Sequence, residues 1–179
     1  MALLQPLMET VPPIRKDWVD AAIASVRALG PLYVHTVEAE YNGLLVDMVE
    51  ALYTSPFRGY QIICKHYDWW LQMPHERFQY LVDPANHVCH VLATHWIAIK
   101  QIMTPEHLVN SREKTARDKH TDMGTIRWLK YLNRQLPFEY RQYNWWPVWV
   151  EEQLDRLNLL WENPGLKVMN SKRGEEGAG

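Results

Sequence analysis

Two histidines at helical spacing are the first residues in this sequence that could do chemistry. His87 and His90 are three positions apart, so on a helix they share one face and could bind a metal ion together. A protein metal site needs three or four converging ligands, and Cys89 projects to another side of the same helix. We therefore predict no metal site and interpret both residues as structural histidines. His95 belongs to an apolar stripe and is expected to be a core histidine bonded to a backbone carbonyl.

Short catalytic motifs are absent from the sequence. There is no GxSxG, no HExxH and no glycine-rich phosphate or dinucleotide loop. We expect neither Cys64 nor Cys89 to have basic surroundings that would activate a thiol. The His35 and Glu38 pair is interpreted as a surface pair at helical spacing. The sequence thus predicts no catalytic residue, no cofactor and no enzyme, with an enzyme that lacks a recognisable motif as an alternative.

Composition predicts a folded intracellular domain. The 179 residues are 47% hydrophobic and 12% aromatic, and the net charge of −2 creates no general attraction to nucleic acid or anionic lipid. The two cysteines form no CxxC motif, and we interpret them as small buried apolar residues of a protein in a reducing compartment. No apolar run reaches the roughly 18–20 residues of a membrane span, and the first residues lack the basic segment of a signal peptide. We expect a nuclear or cytoplasmic location and no membrane contact.

Hydrophobic periodicity predicts an all-α fold. We expect a single domain of about six helices around a central helix near residues 84–103. Asp83 is the predicted N-cap of that helix, Pro84 suits its first turn, and Pro105 stops it. The domain is predicted over residues 17–163, between a loose lead-in at 1–16 and a disordered tail at 164–179.

Two further stretches carry expectations about their surroundings. The helix that restarts at Ser55 and Pro56 is expected to turn one set of side chains inward, namely Tyr60, Ile63, Cys64, Tyr67, Trp70 and Leu71. Residues 104–120 mix basic and acidic side chains without apolar periodicity, which predicts an exposed loop.

An aromatic run from Tyr140 to Trp149 could in principle stack on nucleic-acid bases. It lacks the basic groove that such binding requires, so core and interface positions are favoured. Trp146 begins the stripe of the last helix and is predicted to anchor that helix against the central one. The predicted interaction surface is Tyr143, Trp145 and Trp149, with Trp149 the most exposed, because large exposed apolar patches usually mark interfaces. We expect this surface to drive self-association or binding of a protein partner.

Several stretches, taken in order, resemble one protein family. They are similar to the C-terminal part of the fungal-specific region of zinc binuclear cluster transcription factors, over roughly residues 33–157. The stretches are Gly59–Gln61, His66–Pro74, Leu92–Ala98, Gln101–Met103, Trp128–Asn133, Tyr140–Asn144 and Trp146–Glu151.

The resemblance implies a helical regulatory domain, often one tied to sterol or secondary-metabolite genes. In that family a separate N-terminal module contacts DNA, and its six cysteines hold two zinc ions beside a basic segment. This chain has two cysteines and no such module before Trp18, so we expect no direct sequence-specific DNA binding. The family has no catalytic residues to transfer. A helical metabolite-sensing domain that binds a small apolar ligand is the alternative.

Overall fold

The computed structural model describes residues 14–103 and 127–162, with side chains to residue 156 in the last helix. The described residues contain eight α-helices and no strand, so the predicted all-α class is confirmed. The two short helices account for the excess over the expected six. The predicted lead-in, tail and 104–120 loop lie largely or wholly outside the described residues. The helices are α1 Lys16–Arg27, α2 Thr36–Leu52, α3 Pro56–Gln72, α4 His75–Val82, α5 His87–Ile102, α6 at 127–135, α7 Phe138–Arg141 and α8 Trp145–Glu162, with a 3-10 turn at Gly30–Leu32.

Helix α5 is the centre of the fold, as its sequence predicts. Eleven of its residues are buried, and they occupy all sides of the helix rather than one stripe. It packs against α2, α4, α7 and α8, while α2 also packs against α1 and α3. None of the described helices is long and apolar enough to cross a lipid bilayer.

The start of α5 differs from the prediction. The helix begins at His87 rather than at Pro84, because Pro84 and Ala85 form a turn before it. Asp83 is extended, and its carboxylate accepts a hydrogen bond from the Ala85 amide at 2.8 Å within this turn. Asn86 is the N-cap instead, since its side chain accepts from the Cys89 amide at 3.0 Å.

The inward face of α3 also differs from the prediction. Leu71 is 84% exposed and Tyr67 is 38% exposed. The reason lies at Gly59, where a Cβ atom would stand 2.5 Å from Leu52 Cδ2 and 3.0 Å from Met103 Cε. This close approach turns the glycine side of α3 toward α2. The buried residues of α3 are Pro56, Gly59, Ile63 and His66.

Two helical glycines should respond oppositely to substitution. Gly43 is exposed within α2, and a Cβ atom there would have no neighbour within 4 Å, so Gly43→Ala should raise the free energy of unfolding. The gain should be about 0.5–1 kcal/mol from lower unfolded-chain entropy and better helix propensity. Gly59→Val should instead lower it by about 1–3 kcal/mol, because the new atoms overlap Leu52. Urea denaturation of both variants measures the difference, and a stabilised Gly59→Val would contradict the close packing.

Candidate functional site

A buried chain of polar side chains joins α5 to α6 and α8. The Thr94 hydroxyl lies 2.6 Å from Asn144 Oδ1 and 2.7 Å from the Val91 carbonyl, so its single hydrogen is shared between them. Asn144 Nδ2 donates to Asn133 Oδ1 at 2.7 Å, and Asn133 Nδ2 donates to Glu151 Oε2 at 2.7 Å. Since these donors and acceptors satisfy one another, the hydrogen-bonded side chains stabilise one arrangement of the three helices. It contains no base close to a nucleophile.

Removing the middle of this polar chain should destabilise the fold. Asn144→Ala leaves the Asn133 carbonyl oxygen without its donor in a buried setting, which should cost about 1–3 kcal/mol. Asn42→Ala is the matched control, because the Asn42 carbonyl oxygen has no hydrogen-bond partner among the described residues. Chemical denaturation of both variants gives the comparison. Equal free energies of unfolding for the two variants would show that these hydrogen-bonded side chains do not stabilise the fold.

Ser25 on α1 and His95 on α5 form a pair with the geometry of a nucleophile and a base. Ser25 Oγ lies 2.8 Å from His95 Nε2, and His95 Nδ1 lies 2.8 Å from the Val91 carbonyl oxygen. Because a carbonyl only accepts, Nδ1 carries the hydrogen and Nε2 accepts from the serine. Ser25 is 1% exposed and His95 is fully buried. The sequence gives no local sign of this pair, since the two residues are distant along the chain.

Burial determines what that pair can do. Desolvation lowers the pKa of His95 to about 4, and the hydrogen bond to Val91 only partly opposes this effect. A general base works best when its pKa lies near the working pH, and a substrate must reach it. Neither condition is met at His95. The pair is therefore a core contact between α1 and α5, and the expected bond from His95 to a backbone carbonyl is confirmed.

His66 is enclosed by aromatic rings. Its ring centre lies 4.4 Å from that of Trp70, 4.8 Å from that of Tyr41 and 5.6 Å from that of Trp96. The side chain is fully buried, and neither ring nitrogen has a hydrogen-bond partner among the described residues. Desolvation lowers the pKa of His66 to about 4, so the ring is neutral near physiological pH. This arrangement suits a structural aromatic cluster whose stability depends on pH.

Glu38 is buried, so the predicted surface pair with His35 is wrong. Its Oε2 accepts from the amides of Val34 at 2.7 Å and His35 at 3.0 Å, while Tyr80 donates to Oε1 at 2.6 Å. Glu38 thereby satisfies backbone donors at the start of α2 that have no helical partner. Burial favours a higher pKa for this carboxyl, but the hydrogen bonds from Tyr80, Val34 and His35 outweigh it and lower the pKa. Burial and the bond to Glu38 raise the pKa of Tyr80 to about 12, which keeps the phenol protonated.

An open groove of about 300 Å³ lies beside this carboxylate. The Arg77 guanidinium at the groove is held by Glu40 at 2.7 Å. Pockets for small apolar ligands bury most of the surface of the ligand, whereas this groove is open to solvent. The groove therefore does not favour the metabolite-sensing alternative. Its lining residues are His35, Thr36, Val37, Glu76, Arg77 and Tyr80.

The His87 and His90 pair lies where α5 meets α6 and α7. The His87 ring centre is 5.3 Å from that of Tyr140, and burial lowers the pKa of His90 although a hydrogen bond with the Leu132 backbone opposes it. Across residues 14–103 and 127–156, no group of three or more His, Cys, Asp or Glu side chains could hold a metal ion. The expectation of no bound metal stays a prediction.

The structure separates the three residues of the predicted interaction surface. Trp145 is 49% exposed, whereas Tyr143 and Trp149 are half-buried and pack against the core. The expectation that Trp149 is the most exposed is wrong, because Trp18 on α1 covers it with ring centres 5.1 Å apart. Of the predicted surface, Trp145 alone is strongly exposed, beside Val148 on α8.

Another set of exposed aromatic residues lies on α6. Trp128 is 48% exposed and Tyr131 is 59% exposed. Arg127 and Arg134 are also exposed on this helix, and we name these four residues the arginine–aromatic face. The arginine–aromatic face was not predicted from the sequence, because the helix was identified by its apolar stripe and these residues lie outside that stripe. The spacing of 127, 128, 131 and 134 at three and four residues is the signal that could have identified it.

Comparison with protein-family models, with curated proteins and with solved structures found no match to this chain. The resemblance to the transcription-factor family therefore depends on the sequence stretches given above. Function must be inferred from those stretches together with the buried contacts and the exposed faces of the helices.

Proposed function

We propose that this chain is a regulatory or protein-interaction domain related to the fungal-specific region of zinc binuclear cluster transcription factors. It acts in the nucleus or cytoplasm of a fungus, in the regulation of genes such as those of a metabolite cluster. It works by contact with a protein partner or with a second copy of itself. Direct reading of DNA sequence and catalysis are not part of this role.

The convergence of the family-like stretches carries this proposal. Thr94, Asn133 and Asn144 come from three of those stretches and form one buried hydrogen-bonded chain. His95 and Trp146, from two of the stretches, stack with ring centres 6.0 Å apart. The residues that resemble the family are thus residues that hold one helical unit together, as expected if the resemblance reflects a shared fold.

Exposed aromatic side chains support an interaction role for that unit. Trp128, Tyr131 and Trp145 each expose about half of their surface or more. Trp and Tyr are enriched in the centres of protein interfaces because they bury a large area with little loss of conformational freedom. By contrast, the pair that most resembles a catalytic arrangement, Ser25 and His95, is buried in the core.

A reporter assay tests the regulatory role. The full chain is fused to a heterologous DNA-binding domain in a fungal host, upstream of a reporter gene. We expect reporter expression to change several-fold, in either direction, relative to the DNA-binding domain fused to an unrelated helical domain. Equal expression from the two fusions, at equal protein levels, would contradict the proposal.

The isolated chain should not bind DNA in a sequence-specific way. Its net charge is −2, and its two cysteines cannot form the six-cysteine module of the family. Fluorescence anisotropy with random and promoter-derived duplexes at physiological salt is the measurement. A sequence-dependent dissociation constant tighter than about 100 nM would contradict this prediction, because nonspecific binding is orders of magnitude weaker.

A further inference from the structure

The arginine–aromatic face presents cations and aromatic rings on one side of α6. With 100° between successive residues, Arg127, Trp128, Tyr131 and Arg134 fall within an arc of about 120°. Leu129, on the opposite side, is fully buried. The four residues therefore lie together on the side of α6 that faces away from Leu129.

Trp128 of this face lies next to Trp96 on α5, which is buried. The Trp128 and Trp96 ring centres are 6.5 Å apart, and the Tyr67 ring centre on α3 is 6.1 Å from that of Trp96. Lys100 on α5 places its Nζ 5.4 Å from the Trp96 ring centre. Trp128 is thus supported by an aromatic cluster of α5 and α3, and the exposed part of the arginine–aromatic face is that of α6.

The charged residues of the arginine–aromatic face are its two arginines. Among the described side chains, neither Arg127 nor Arg134 makes an ion pair, whereas Lys130 is held by Asp155 at 2.6 Å. Lys100 faces the Trp96 ring rather than a carboxylate. Asp68, which follows Tyr67 in the chain, is exposed on α3. Guanidinium groups next to exposed rings can bind carboxylates by paired hydrogen bonds while the rings cover apolar groups.

We propose that the arginine–aromatic face docks an acidic peptide segment of a partner protein, one in which Asp or Glu alternates with Phe or Leu. The arginines bind its carboxylates, and Trp128 and Tyr131 cover its apolar side chains. Nucleic acid is less well matched, because the chain as a whole is slightly acidic and the surface offers few cations to neutralise phosphates. This proposal rests on the regulatory role above and specifies its partner.

Peptide binding by the full chain tests the proposal. The probe is a short fluorescein-labelled peptide in which Asp and Glu alternate with Phe and Leu, followed by anisotropy. Two control peptides replace either the acidic residues with Lys or the apolar residues with Ala. We expect the acidic apolar peptide to bind at least about tenfold more tightly than either control, since both interactions contribute.

Matched variants locate the binding. The double variant Arg127→Glu with Arg134→Glu, and separately Trp128→Ala, should each weaken binding at least about tenfold. The double variant should also gain affinity for the Lys peptide. Arg58→Glu, at an exposed arginine in the first turn of α3, should change affinity by less than about twofold. The arginine variants should keep the wild-type helical spectrum and unfolding midpoint, because the substituted side chains are exposed. Trp128→Ala should keep the helical spectrum and lower the free energy of unfolding by less than about 1 kcal/mol, because half of the side chain is in solvent.

Several results would overturn the proposal. Equal binding of all three peptides, or wild-type affinity in both face variants, would show that the arginine–aromatic face does not bind an acidic peptide. Tighter binding of a single-stranded oligonucleotide than of the acidic peptide, lost in the double variant, would assign the face to nucleic acid. Self-association abolished by Trp128→Ala, without peptide binding, would assign it to a second copy. Reporter activity without peptide binding would leave the regulatory role intact, whereas peptide binding without reporter activity would remove that role alone.

Discussion

Replacing Trp146 with alanine is expected to lower the free energy of unfolding by about 3–5 kcal/mol. Trp146 is fully buried, and its ring stacks on His95 of the central helix at 6.0 Å with an interplanar angle of 29°. Loss of the indole leaves a cavity where α8 meets α5, the contact that fixes the last helix. Urea denaturation followed by circular dichroism measures the loss, which is a large share of the roughly 5–15 kcal/mol that stabilises an ordinary domain.

Two neighbouring tryptophans provide graded controls for this measurement. Trp145→Ala should cost less than about 1 kcal/mol, because half of that side chain is in solvent. Trp149→Ala should fall between the two, since its ring packs on Trp18 but remains partly exposed. A small loss for Trp146, or an equal loss for Trp145, would contradict the assignment of Trp146 as the anchor. Light scattering on Trp145→Ala also tests whether this residue contributes to self-association.

Mild acidification is the second change with a large expected effect. In the folded chain burial lowers the pKa of both His66 and His95 to about 4, whereas an unfolded histidine titrates near 6.5. Between these values the unfolded state binds more protons, so stability is complete above about pH 6.5 and falls as the pH decreases. Each histidine contributes up to about 1.4 kcal/mol per pH unit in this range. From pH 6.5 to pH 5 the two together should remove roughly 3 kcal/mol.

His66→Phe should separate this effect from other titrations. A phenyl ring suits the aromatic surroundings of His66 and cannot be protonated, so the stability of the variant should depend less steeply on pH. His95 is less suitable for this test, since its replacement also breaks the hydrogen bond with Ser25. Carboxylates with lowered pKa, such as Glu38, lose their contribution only as the pH falls below about 4.5, so measurements above pH 5 isolate the histidines. Parallel stability curves for the wild type and His66→Phe would refute the assignment.

Local chemistry explains why several elements could be predicted from the sequence. Ser55 and Pro56 mark the start of α3, and the Ser55 hydroxyl accepts from the Arg58 amide as an N-cap should. The hydrophobic periodicity of residues 88–103 predicts a helix at the centre of the fold, and α5 has buried residues on all sides. The stripe beginning at Trp146 likewise identified the anchor of α8. Each of these depends on residues close together in the chain.

Predictions of burial were wrong where a residue distant along the chain determines the surroundings of a side chain. Trp149 looks exposed from the pattern of α8, but Trp18 covers it from α1. Glu38 looks like a surface residue until Tyr80 and the amides before α2 are brought to it. Leu71 belongs to an apolar stripe, yet the close contact between Gly59 and Leu52 turns α3 so that Leu71 faces solvent.

The sequence by itself determined the helical class, most helix positions, the central helix and the residue that anchors the last helix. These follow from periodicity, capping and proline placement, which act over a few residues. The tertiary structure alone decided which side of α3 is buried, which tryptophans remain exposed, and that Arg127 and Arg134 flank aromatic rings on one face of α6. Such features depend on which helices pack together, and packing between segments distant in the chain is set by shape complementarity that no local pattern contains.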